Sequence, residues 1–143
     1  MKDIKENAQI TLINNQRSGN ENEKIEFIST GNFYRKDGAF HITYKEHSEM
    51  GMGDSRVFLK VEDDKITMRR MGEFQTAMYY EIDRITEFIY RMPYGEMNIK
   101  IKTEKIENNL TEDGGNVSFS YVLLMNSDEI YNDLSLTVSL ERN

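Results

Sequence analysis

Residues 96–104 read Glu96-Met97-Asn98-Ile99-Lys100-Ile101-Lys102-Thr103-Glu104. Met97, Ile99, Ile101 and Thr103 fall on one side; Asn98, Lys100, Lys102 and Glu104 fall on the other. Successive side chains of a strand point to opposite faces, so this period of two describes a strand with one dry and one wet face.

The same alternation recurs on both sides of this segment and predicts ten strands. Ala8, Ile10 and Leu12 are in phase in a strand at 7–17, and Ile25 and Phe27 in one at 24–36 that Gly31 interrupts with a bulge or bend. Asp37-Gly38 is a hairpin turn leading to 39–46, with Phe40, Ile42 and Tyr44 in phase. Strands follow at 55–62 (Val57, Leu59, Val61), 65–71 (Ile66, Met68), 74–81 and 85–92. Met92-Pro93-Tyr94-Gly95 is a turn into the strand at 96–104. Val117, Phe119, Tyr121, Leu123 and Met125 mark the ninth, and Ile130, Leu134, Leu136, Val138 and Leu140 the tenth. The polar stretches 17–22, 47–54 and 108–116 read as loops.

One segment carries a second period. Met78, Ile82, Ile85, Ile89 and Met92 also fit a helical stripe, so a helix over 78–92 rivals the two strands there. The aromatic and β-branched residues Tyr79, Tyr80, Phe88, Ile89 and Tyr90 favour the strands.

Strands joined by short turns make an antiparallel meander. With no helix to cover it, the apolar face has to turn inward, and closing the sheet removes edges that invite aggregation. The expected fold is all-β, an antiparallel meander barrel of about eight to ten strands, formed by residues 1–143 as a single domain. Alternation leaves open whether such a barrel is hollow or filled.

Composition narrows the function classes. The net charge of −7 argues against a nucleic acid partner. The absence of cysteine excludes disulfides, thiolate catalysis and cysteine-based metal centres. The first residues, Met1-Lys2-Asp3-Ile4-Lys5-Glu6-Asn7, lack the apolar core of a secretory signal, and no run of about 20 apolar residues is present to span a bilayer. A cytoplasmic protein with no membrane partner is the expectation. His41, His47, Glu49 and Asp54 lack a metal-ligand spacing, and Gly51-Met52-Gly53-Asp54-Ser55 lacks the lysine and helix of a phosphate cradle, so no metal or cofactor is implied.

The candidate site comes from polar residues in the inward phase. Glu46 follows Tyr44, Arg70 follows Met68, Tyr90 lies between Phe88 and Met92, Tyr121 between Phe119 and Leu123, and Asn132 between Ile130 and Leu134. A buried charge needs a partner. Tyr44, Glu46, Arg70, Tyr90 and Tyr121 are therefore the candidate ligand-binding residues. In one reading Arg70 and the tyrosine hydroxyls form a polar patch for a small, partly apolar or anionic ligand. In the other, Arg70 pairs with Glu46 in a filled barrel that works through its outer surface or as a homodimer. A third reading is an enzyme using Glu46 or a tyrosine as acid or base; it ranks behind the other two because no activated nucleophile or convergent catalytic set is visible.

Tyr44-Lys45-Glu46, Gly53, Arg70-Met71-Gly72, Met78 and Tyr90-Arg91-Met92-Pro93-Tyr94-Gly95 resemble the YwiB-like family of uncharacterised bacterial proteins, over about Ile25 to Leu140. The resemblance implies a calycin-like (lipocalin-like) β-barrel. It implies no activity and no catalytic residues.

Overall fold

The computed structural model describes residues 6–46, 55–72, 75–92 (side chains through Tyr90) and 95–141. Ten strands account for nearly all of them: β1 (Ala8–Ser18), β2 (Glu21–Lys36), β3 (Ala39–Glu46), β4 (Ser55–Val61), β5 (Lys65–Gly72), β6 (Thr76–Glu81), β7 (Ile85–Met92), β8 (Gly95–Thr111), β9 (Gly114–Met125) and β10 (Asp128–Leu140). They form one antiparallel sheet in the order β6-β5-β4-β3-β2-β1-β10-β9-β8-β7. Residues 78–92 are two strands and a turn, not a helix. The expected loop at 47–54, with His47, Glu49 and Asp54, lies outside the described residues, as do Pro93 and Tyr94 of the expected turn.

The first and last strands close the barrel through a continuous ladder from Ala8↔Leu140 to Arg17↔Tyr131. The break falls mid-chain instead, between β6 and β7. These edge strands meet near their connecting turn, where Thr86 Oγ1 donates to the Tyr79 carbonyl and Arg84 N donates to the Glu81 carbonyl at 3.3 Å. No ladder joins them among the described residues. The barrel is nearly closed.

Two expected loops are strand. β1 and β2 stay paired to Ser18↔Glu21, so the stretch 17–22 shrinks to a two-residue turn. Its residues are polar because the hairpin tip runs past the core and is wet on both faces; the alternation fades there while the backbone ladder continues. Likewise β8 and β9 pair to Thr111↔Gly114, so 108–116 is a tight turn. Gly114 and Gly115 look like loop residues, yet they sit in the strand. A Cβ there would lie 2.6 Å from the Val138 carbonyl oxygen and 2.5 Å from that of Asn109 respectively. Within β8 a register shift between Thr103 and Lys105 changes the inward phase, which passes from Ile101 and Thr103 to Ile106.

Gly31 carries no bulge, since neither ladder shifts register there. β2 pairs with β1 up to Gly31 and with β3 from Gly31 onward. A Cβ at this point would fall 1.8 Å from the Thr43 carbonyl oxygen, so only glycine lets the two backbones approach.

Inward side chains fill one end of the barrel. Ile10, Ile42, Val61, Ile66, Val117 and Leu136 are completely buried there. The other end, where β3 and β5 finish and β4 and β6 begin, is built differently and holds the site.

Candidate functional site

Inward positions at that end include the buried polar residues Asn14, Ser29, Glu46, Ser55 and Thr76. Register brings Glu46, Ser55 and Thr76 around Arg70, because Glu46 pairs with Ser55, and Arg70 pairs with both Val57 and Thr76. Arg70 Nε donates to Glu46 Oε1 at 2.7 Å and Nη2 donates to Oε2 at 3.3 Å. Ser55 Oγ donates to Glu46 Oε1 at 3.0 Å. The pair is almost dry, with side chains 11% (Arg70) and 6% (Glu46) exposed. Burial alone lowers the Arg70 pKa, but the hydrogen bond and charge of Glu46 outweigh it and hold the guanidinium protonated.

Three phenols surround this pair. Burial pushes the Tyr44 and Tyr80 hydroxyls well above the usual phenol range. Tyr121 is pushed up to about 12, again by burial, with a hydrogen bond from Tyr80 and the Arg70 charge acting in the opposite direction. All three are neutral at physiological pH and feel the charge of Arg70. Edge-to-face contacts of Tyr80 with Phe119 and Tyr121, at 4.9 and 4.7 Å, fix the rings.

On the opposite wall, Asn132 Nδ2 donates to the Ile130 carbonyl at 3.0 Å. Its Oδ1 accepts from Asn14 Nδ2 at 3.2 Å and from Gln16 Nε2 at 2.9 Å.

Between these walls is a cavity of about 260 Å³. All five residues expected from the sequence, Tyr44, Glu46, Arg70, Tyr90 and Tyr121, line it. Asn132 is buried but acts behind the surface, through Asn14 and Gln16. The alternation also carried lining residues that the sequence reading passed over. Asn14 and Gln16 continue the phase of Ala8, Ile10 and Leu12, and Thr76 shares that of Met78 and Tyr80. The remaining wall is apolar and includes Met68, Met78, Phe88, Ile99 and Leu134.

Two buried lining atoms have no hydrogen-bond partner, Asn14 Oδ1 and Thr76 Oγ1. A broader groove of about 790 Å³ runs outside, along the unpaired edges of β6 and β7, and is open to solvent. Thr76 and Phe88 border both spaces.

Residues 10–137 match the family described as "Domain of unknown function (DUF1934)". The chain belongs to the DUF1934 family. It is 30% identical over 103 residues to the "Uncharacterized beta-barrel protein YwiB" of Bacillus subtilis (strain 168), covering 72% of this chain and 70% of that protein. The crystal structure of the B. subtilis ywiB protein superposes with a TM-score of 0.85 at 22% identity, over 96% of this chain and 93% of that one. The DUF1934 member described here therefore shares the barrel of its relative. Neither comparison assigns an activity. No three His, Cys, Asp or Glu side chains converge on a metal position among the described residues, and no helix among them is long and apolar enough to cross a membrane. His41 stacks on Tyr34 at 4.9 Å, as an ordinary cross-strand pair.

Proposed function

We propose that the protein binds a small, partly apolar molecule inside the hollow end of its barrel, with a cytoplasmic setting and with neither nucleic acid nor membrane as partner. The observation that carries this reading is the cavity of about 260 Å³, with apolar walls and buried polar atoms at Asn14 and Thr76 that lack partners. A buried polar atom without a partner disfavours the empty protein by about 1–3 kcal/mol, and a bound molecule that satisfies it removes that penalty. The test is native mass spectrometry of protein purified from its own host. A small molecule released at about one per chain supports the reading. Protein that carries none, and whose melting temperature no small amphiphile raises, ends it.

A second reading has its own support. Phe58, Met71, Tyr79, Ile85 and Ile89 are exposed on the outer faces of β4 to β7, beside the unpaired edges. Exposed apolar surface next to open strand edges favours association, including a homodimer. Sedimentation velocity that shows a monomer at every concentration would remove it.

A further inference from the structure

We infer that the barrel's ligand is electrically neutral and carries both a hydrogen-bond acceptor and a donor, as an amide or a lactam does, on a body about the size of a single ring. This rests on the cavity being the binding site and deepens that reading by naming the ligand's class.

Charge decides first. Among the described residues, Glu46 and Arg70 are the charged ones that line the cavity, and they neutralise each other through two hydrogen bonds. An anionic ligand leaves the site with a net negative charge, whether it accepts from Arg70 Nη1 or draws the guanidinium off the Glu46 carboxylate. A cationic ligand leaves it with a net positive charge. Either puts an unbalanced charge in a nearly dry site. A neutral ligand leaves the pair intact.

The polarity of the ligand follows from what the walls leave over. The pair uses Arg70 Nε and Nη2, which leaves Nη1 outside it, and the nearby Tyr44 hydroxyl is neutral. Both groups line the cavity and can donate to an acceptor on the ligand. The β1 wall offers the reverse. The Ile130 carbonyl can take only a donor, which turns Asn132 Nδ2 toward it and Asn132 Oδ1 toward β1. That oxygen in turn needs donors, so Asn14 presents Nδ2 to it and is left with Oδ1 unpartnered. Flipping Asn14 would set oxygen against oxygen. Asn14 Oδ1 therefore calls for a donor. Thr76 Oγ1, beside Arg70 in the ladder, serves as either.

Size sets the body. At about 30 Å³ per water, 260 Å³ is the space of roughly nine waters, enough for one substituted ring against Met78, Phe88 and Ile99.

The test compares benzene, benzamide and benzoate, three probes of one shape. Binding is followed through the methyl resonances of ¹³C-methionine-labelled protein, with Met68 and Met78 as reporters inside the cavity. Benzamide is expected to shift both reporters and to bind at least tenfold more tightly than either benzene or benzoate. Asn14→Leu should weaken benzamide and leave benzene unchanged, and Glu46→Gln should turn the preference toward benzoate by leaving Arg70 uncompensated. Benzoate binding the native protein as well as benzamide does, or benzene matching benzamide, overturns the inference while the cavity stands as a binding site. If none of the three probes moves Met68 or Met78, the cavity reading falls and this inference falls with it. The comparison among native complexes decides the matter even where a variant does not fold.

Discussion

Cutting the Glu46–Arg70 pair one side at a time gives a direct measure of how dry the hollow end is. Arg70→Met keeps most of the aliphatic stem and removes the guanidinium. The Glu46 carboxylate, 6% exposed, is then left with Ser55 Oγ at 3.0 Å as its partner. An uncompensated buried charge of this kind destabilises by roughly 3–5 kcal/mol. Glu46→Gln, the reverse cut, should have a similar effect because Arg70 is itself only 11% exposed. The double variant removes both charges, and exchanging a buried pair for uncharged side chains is close to neutral, within about 1–2 kcal/mol. The two singles should therefore be strongly non-additive, with a coupling of at least about 3 kcal/mol.

Urea unfolding of the four proteins yields each value from its midpoint and slope. At roughly 3 °C per kcal/mol for a chain of this size, each single variant should also melt about 10 °C lower. In 1 M salt the screening length falls to about 3 Å, which erases exposed pairs and spares buried ones, so the coupling should survive. Singles that each lose less than about 1 kcal/mol, or effects that simply add, would show the pair to be wet, and the charge argument for a neutral ligand would fail with it.

Four further outcomes test other parts of the structure. The buried phenols hold protons that the unfolded chain releases near pH 10, so stability should be full below pH 10 and fall as pH rises toward about 12; ultraviolet titration should show Tyr44, Tyr80 and Tyr121 ionising only as the protein unfolds. Gly31→Ala places a Cβ 1.8 Å from the Thr43 carbonyl oxygen and should destabilise by more than about 3 kcal/mol in chemical denaturation; a loss under about 1 kcal/mol would mean that β2 and β3 do not approach so closely there. Leu136→Ala opens a new void in the filled end and should remove about 3–5 kcal/mol, whereas Leu134→Ala widens an existing cavity and should remove nearer 2; equal losses would argue that both ends are filled. Thr76→Val replaces an unpartnered hydroxyl with a methyl group and should stabilise the ligand-free protein by up to about 1–2 kcal/mol while weakening its ligand, a trade that paired thermal-shift and binding measurements would expose.

Alternation is a property of one strand, and it carried as far as one-strand information can. It placed the ten strands and the inward sense of Tyr44, Glu46, Arg70, Tyr90 and Tyr121, because each is a polar break in an apolar phase. It failed at 17–22, where both strand faces are wet, and at 108–116, where Leu110 alone carries the apolar phase and Asp113-Gly114-Gly115 has the composition of a loop. Asn14 and Gln16 were lost for a related reason. They continue the dry face of β1, but an amide there looks like a strand fading into a loop until Asn132 is seen across the sheet, 118 residues away from Asn14. Whether the interior is filled is a property of all ten registers together. At one end, long aliphatic side chains meet from every wall. At the other, register gathers Asn14, Gln16 and Thr76 on the walls beside a charge pair, and these side chains spend their reach on polar partners or are too short to fill the middle. Any one of them is an unremarkable residue of a strand. Brought to the same end, they leave a space that Leu or Phe at the same positions would have closed, and the unpartnered atoms facing it are the reason to expect that something other than this chain completes it.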